Sequence, residues 1–288
     1  MRYGMTLPAF GALADPHYLI ELAQAAEAAG WDGFFLWDTV VHDEHGYPIA
    51  EPWTALAAIA VATKRLRLGV MITPLSRRRP WQVARQVITL DRLSNGRVIF
   101  GAGLGGALND FDWFGEETDP RVRAAMLDEG LEIVRGLWSG EPTSYAGTHY
   151  TVAPLQFVPP PAQSHLPIWI GGMWPIKAPM RRAARFDGVF PLREGFPLSP
   201  EDLAAVKAFI EPLRPNPAAA FDYVAAGITP GDDPAAGAAQ VAPYIEAGAT
   251  WWLETIDPWT RHHNWTVVMS REDERWMDGR IRRPPPKV

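Results

Sequence analysis

A short apolar run followed by a helix-forming stretch is the unit this chain repeats from one end to the other, and few folds accept such a repeat. Tyr3 to Leu7 leads into a helix that opens at Asp15-Pro16 and runs to Gly30, Gly33 to Trp37 into Trp53 to Thr63, and Leu66 to Ile72 into Pro80 to Ser94. Arg97 to Ala102 leads, after an insertion, into the long stretch from Asp119-Pro120 to Trp138. Pro167 to Ile170 resumes with Ile176 to Phe186, and Gly188 to Pro191 with a helix opened by Ser199-Pro200. Phe221 to Ala225 is followed by a helix opened by Asp233-Pro234, and Thr250 to Leu253 by a short one over Ser270 to Asp278. Asp or Ser before Pro reads as an N-cap and a first helical position whose N–H is not needed. Strands alternating with helices lie parallel, and unbroken apolar runs fit a sheet covered on both faces. Eight alternations predict an α/β fold, a (β/α)8 TIM barrel.

At 288 residues the chain slightly exceeds the roughly 250 of one such barrel. The surplus is expected in inserted loops after strand four and before strand five, where Ser139 to Leu166 is rich in Pro, Gly and aromatics. One domain over residues 1–281 is expected, with a basic, Pro-rich and loose tail over 282–288. The absence of cysteine removes disulfides, thiolate metal sites and a cysteine nucleophile, so redox chemistry would need a bound cofactor. A net charge of -6 without a basic stripe argues against nucleic acid, and no apolar run is long enough for a bilayer. The start lacks a signal-peptide pattern, so a cytoplasmic protein with a small-molecule partner is expected.

In a barrel of this kind the chemistry sits just beyond the strand C-termini. Strand two is followed by Asp38, Thr39, His42, Asp43, Glu44 and His45, a titratable cluster. Two histidines three apart with no third ligand in view do not make a metal site, and none is assigned. After strand three, Arg77, Arg78 and Arg79 precede a helix, where cations meet the positive end of the dipole, so an anion or acidic side chain is expected beside them. After strand four, Gly101-Ala102-Gly103-Leu104-Gly105-Gly106 matches G-x-G-x-x-G. No helix opens directly behind it, so a glycine rim for a flat ring is preferred to a dinucleotide fingerprint. Glu254, Asp257, Trp259, His262 and His263 crowd the end of strand eight.

Taken in order, Trp37-Asp38, GVMITPL at Gly69 to Leu75, RRRP at Arg77 to Pro80, LDRLSNGRVIFGAGLG at Leu90 to Gly105, PIWIGG at Pro167 to Gly172 and RRAARFDGVFP at Arg181 to Pro191 resemble the luciferase-like flavin-dependent monooxygenases and their deazaflavin-dependent relatives. The resemblance covers most of the chain. It implies a cofactor ring against the ends of strands two to four and a phosphate toward the loop after strand five, which by position selects Asp38, Val70, Met71, Thr73, Leu104, Asn109, Gly171, Gly172 and Met173. It also implies a non-proline cis peptide at Val70-Met71. Thr39 and Gly106 depart from the deazaflavin sugar-phosphate dehydrogenases, which carry a histidine and an acid there.

The resulting expectation is an oxidoreductase acting on a small organic substrate, with FMN placed slightly ahead of the deazaflavin coenzyme F420. FMN would imply oxygen activation, possession of F420 direct hydride transfer. Asp38 and His42 are the acid-base candidates, ahead of His45, His262 and His263. A separate flavin reductase and a homodimer are the family's usual partners. A non-catalytic flavin-binding protein and a metal-dependent barrel hydrolase are the alternatives. Substrate choice is assigned to the loops at Val40 to Glu51, Ala107 to Glu117, Gly140 to Leu166 and Leu192 to Leu198.

Overall fold

Buried apolar runs set the frame of the computed structural model, which describes every residue except 43–45, 107–108, 195–196 and 264–268. Strand β1 (Arg2–Leu7) pairs in parallel with β2 (Gly33–Leu36), and β2 with β3 (Arg67–Val70). Helix α1 (Pro16–Ala29) joins the first two and α2 (Pro52–Ala62) the next. A two-residue β4 (Thr73–Pro74) continues the third stave beyond a break, and α3 (Pro80–Leu93) leads to β5 (Phe100–Gly103). A short α4 (Asn109–Asp112) precedes α5 (Pro120–Trp138). The Pro-rich excursion holds an antiparallel hairpin, β6 (Thr143–Ala146) and β7 (Thr151–Leu155). The alternation then resumes through β8 (Ile168–Met173), α6 (Lys177–Ala183), β9 (Gly188–Leu192), α7 (Pro200–Ile210), β10 (Asp222–Gly227), α8 (Pro234–Glu246) and β11 (Trp251–Thr255). Two further helices close the chain, α9 (Pro258–His262) and α10 (Arg271–Ile281).

The sheet order is β3-β2-β1-β11-β10-β9-β8-β5-β4, parallel throughout. The seam closes where Leu68 N donates to Arg97 O at 3.0 Å and Ile99 N to Leu68 O at 2.9 Å. The (β/α)8 expectation therefore holds, with β3 and β4 as two parts of one stave. Phe35, Ile99, Trp169, Phe190, Val224, Trp251 and Leu253 fill the interior, while a larger apolar layer lies between strands and helices. Gly69 is required there, because a Cβ would stand 2.1 Å from Ile99 O.

The capping chemistry follows the sequence closely. Asp15, Asp119, Ser199 and Asp233 each accept a backbone N–H at the start of a helix with Pro in its first turn. Three expectations are corrected. The non-proline cis bond is Met71-Ile72, one linkage beyond the expected Val70-Met71, because β3 keeps regular pairing through Val70. The excursion has its own hairpin, fastened where Glu129 on α5 accepts the N–H groups of Thr148 and Tyr150 at 2.8 and 3.0 Å. Residues 282–288 are not loose against the barrel: Trp31 Nε1 donates to Arg283 O at 2.9 Å, Val288 N to the Tyr3 hydroxyl at 3.1 Å, and Pro285 and Pro286 are buried. No helix among the described residues is long and apolar enough to cross a membrane.

Candidate active site

All barrel strands point the same way, so their C-terminal ends share one mouth, and a cavity of about 580 Å³ opens there. Its apolar lining comes from Met71 and Ile72 at the stave break, Phe190 and Leu192 at the end of β9, and Phe10, Trp37, Val41 and Trp259. Polar positions are Thr6, Asp38, Thr39, His42, Asn109, Asp110, Thr255 and Thr260, and Gly105 and Gly106 form an open stretch of rim. His42 lies in an aromatic cage, with ring centroids 5.6 Å from Phe10, 5.0 Å from Tyr47 and 5.2 Å from Trp259.

The loop that carries His42 is fixed by α4. Asp110 Oδ1 accepts from Val40 N and Val41 N at 2.9 and 3.1 Å, while Asn109 Nδ2 donates to His42 O at 3.1 Å. Arg123 holds the glycine rim by donating to Leu104 O and, at 3.0 Å, to Gly105 O, and its guanidinium lies 3.6 Å over Phe111. Burial holds Arg123 below its ordinary pKa.

Asp38 is bound by the basic run, as the helix-start argument requires. Its Oδ1 accepts from Arg77 Nη2 and Arg78 Nη2, both at 2.8 Å, and its Oδ2 from Arg78 Nε at 2.7 Å. Arg78 also reaches Glu51, whose carboxylate caps α2. Burial acts to lower the Arg78 pKa, but the two carboxylates outweigh it and hold the guanidinium above its ordinary value. Asp38 is thus a buried counter-ion to two arginines rather than an uncommitted acid.

Of the residues expected at the cofactor, Asp38, Met71 and Asn109 line the cavity together with His42. Val70, Thr73, Leu104, Gly171, Gly172 and Met173 are not among the lining residues. Val70 and Thr73 are buried, and Gly171 packs beneath the stave break, where a Cβ would come within 2.6 Å of Ile72 Cγ2. The glycine motif is explained the same way: a Cβ on Gly103 would stand 2.0 Å from Ile72 Cδ1, whereas one on Gly106 would meet nothing within 4 Å. His262 is drawn away to Asp273 at 2.7 Å, His263 is exposed outside the cavity, and Asp43, Glu44 and His45 lie outside the described residues. Among the described residues no group of three or more metal-binding side chains occurs.

Thr255 is a site element that sequence reasoning missed, whereas Asp257, expected in the strand-eight cluster, is not among the lining residues. Thr255, at the end of β11, lines the cavity with a buried Oγ1 that has no partner. Asp257 is fully buried, caps α9 by accepting from Thr260 N at 2.7 Å, and has an unpartnered Oδ2; burial pushes its pKa up to about 6. Asp257-Pro258 repeats the cap-and-proline signal seen elsewhere, so the signal was present.

A family model described as luciferase-like monooxygenase matches residues 1–283. The chain belongs to this family. An F420-dependent glucose-6-phosphate dehydrogenase of Microbacterium testaceum (strain StLB037) is 35% identical over 164 residues, covering 56% of this chain and 48% of that protein. The chain spans about half the length of the curated dehydrogenases it matches. An F420-dependent secondary alcohol dehydrogenase, solved with an F420-acetone adduct, aligns with a TM-score of 0.76 at 20% identity, covering 90% of this chain and 94% of that one. The FMN-bound oxygenating constituent of 3,6-diketocamphane monooxygenase from Pseudomonas putida aligns at 0.66 and 18% identity, over 84% and 71% of the two chains. These two structures support the luciferase-like barrel fold.

Proposed function

We propose that this chain is a deazaflavin-dependent oxidoreductase that moves a hydride between F420 and a small organic substrate. The observation that carries the reading is the likeness to F420-dependent dehydrogenases in sequence, on a chain whose barrel mouth holds a ring-sized cavity. Its volume of about 580 Å³ lies within the range of roughly 300 to 1,000 Å³ usual for cofactor and small-molecule sites. The residues fit a flat ring: Met71 and Ile72 offer an apolar floor, and a Cβ added to Gly106 would meet nothing within 4 Å, so the main chain is open to close approach there. The sequence-based preference for FMN is not backed, since FMN enters through structural neighbours at 18% identity. That preference leaned on Thr39 and Gly106 and on overall charge, which averages the whole surface and does not report on one binding track.

When bound, the reduced deazaflavin would supply a hydride to the substrate without engaging oxygen. The chain would supply orientation, exclusion of water and a proton. Asp38 is committed to Arg77 and Arg78 and Asp110 to two backbone N–H groups, which leaves His42 as the remaining titratable side chain among the described lining residues. His42 is therefore assigned to exchange the proton on the substrate oxygen, aimed by its aromatic cage and by the α4 clamp on its loop. Asp38 is assigned as a positioning residue that ties β2 to the loop after β4.

The test is a titration of the apo-protein with F420 and with FMN, followed by ring absorbance. F420 is expected to bind at least about tenfold more tightly, some 1.4 kcal/mol. FMN binding more tightly by that margin, or no binding of either, would overturn the proposal.

A further inference from the structure

We infer that the substrate of this mouth is an uncharged molecule with an apolar body and a single oxygen function, and not a phosphorylated or carboxylated one. The inference rests on reading the cavity as the cofactor and substrate site, and it adds the substrate's chemical class. Its first support is charge. No Lys or Arg occurs among the described lining residues, and residues 43–45, 107–108, 195–196 and 264–268 contain none in the sequence either. Arg77 and Arg78 are engaged by Asp38, Arg123 by Leu104 O and Gly105 O, Arg193 by Asp202 and Arg261 by Asp273, while Arg79 lines a separate cavity. Asp110, whose carboxylate is held by backbone N–H groups, lines the same cavity, where the charges of Arg77 and Arg78 are already matched by Asp38 and Glu51. A phosphate or carboxylate placed there would lose its water and meet like charge with no cation to offset either cost.

The second support is the wall. Phe10, Trp37 and Trp259 form a continuous aromatic surface, with centroid separations of 6.2, 5.8 and 6.2 Å, in a cavity also lined by Met71, Ile72 and Phe190. Such surfaces gain from covering an apolar body and offer a polyhydroxylated one few partners. The third is the scarcity of uncommitted polar groups among the described lining residues. The buried, unpartnered Oγ1 of Thr255 and the ring of His42 suffice for one carbonyl or hydroxyl oxygen. A sugar phosphate would leave most of its polar atoms unpaired, and unpaired buried groups are what reject a ligand.

The test is calorimetric titration of the F420-loaded protein with cyclohexanone and, separately, with glucose 6-phosphate, read as binding and not as turnover. Cyclohexanone is expected to bind at least about tenfold more tightly. Trp259→Ala should weaken cyclohexanone by a similar factor and Trp259→Phe should restore most of it, which separates a lost wall from a lost fold. Leu192→Arg should reverse the order of the two ligands by adding a cation at the rim. Tighter binding of glucose 6-phosphate, or cyclohexanone affinity unchanged in both Trp259 variants, would overturn the inference. If the protein takes up no F420, the cofactor reading fails, and the same titrations of the apo-protein still decide the substrate class.

Discussion

Replacing Asp38 by alanine removes a carboxylate that is 1% exposed and leaves Arg77 and Arg78, at 8% and 17% side-chain exposure, without their shared counter-ion. The three bonds it accepts, at 2.7 to 2.8 Å, are in the range of charge-assisted hydrogen bonds. Breaking a buried pair from one side costs about 3 to 5 kcal/mol, because the charge left behind stays desolvated. At about 2 to 4 °C per kcal/mol, Asp38→Ala should lower Tm by on the order of 10 °C. Asp38→Asn keeps the shape and one acceptor and should lose about 2 kcal/mol. Replacing the group whole, as Asp38→Leu with Arg77→Met and Arg78→Met, should recover most of the loss, since an apolar cluster of similar volume has no charge to desolvate. Urea unfolding monitored by circular dichroism reads all three variants. The reasoning is refuted if Asp38→Ala loses less than about 1 kcal/mol. It is refuted equally if Asp38→Asn keeps full stability while turnover falls by about 100-fold and one limb of the pH profile vanishes, the signature of acid-base work.

His42→Gln is expected to lower kcat by about 100-fold or more, while F420 affinity, followed by absorbance, changes by less than about threefold. Asp257 has its folded pKa raised from 3.8 to about 6 by burial, so its contribution to stability is full below about pH 4 and is lost as pH rises through about 6. Asp257→Asn, which keeps the cap on α9, should therefore match the parent protein at pH 4 and exceed it by about 2 to 3 kcal/mol at pH 7.5 in urea unfolding. Gly69→Ala should destabilise by at least about 1 to 3 kcal/mol, because its Cβ would meet backbone oxygen at 2.1 Å. Gly106→Ala, with open space at the same atom, should leave Tm within about a degree and instead weaken F420 binding, which differential scanning fluorimetry and an absorbance titration distinguish.

What was legible in the sequence is what local chemistry dictates. The apolar runs became staves, and Asp-Pro and Ser-Pro became helix starts, because caps and burial are settled within a few residues. The hairpin of β6 and β7 was hidden by Pro154 and by the surrounding Pro and Gly, although its hold on Glu129 is clear in space. The tail reads as loose because its residues have no partner nearby in sequence; Arg283 is held by Trp31 and Val288 by Tyr3 at the other end of the chain, and Pro286 packs by Gly237 on α8. At the site, Asp38 and His42 followed from the end of a strand and Met71 and Asn109 from the family resemblance, and all four line the cavity. The role of Asp38 did not, since it depends on a guanidinium 40 residues away. Gly171 packs against the bulk of Ile72 and Gly172 against Pro179 instead of lining the cavity, which no motif records.

The pairing of Arg77 and Arg78 with Asp38 also bears on how molecules arrive. Two cations that would otherwise form a positive funnel are matched in place by Asp38 and Glu51, on a chain of net charge -6. A neutral molecule approaching this mouth feels no long-range pull, so its association rate should be nearly independent of ionic strength. An anionic cofactor would meet weak repulsion that added salt relieves over a Debye length of about 8 to 10 Å. Stopped-flow capture should then quicken with salt for the cofactor and stay level for the substrate, the reverse of an enzyme that gathers phosphorylated ligands electrostatically.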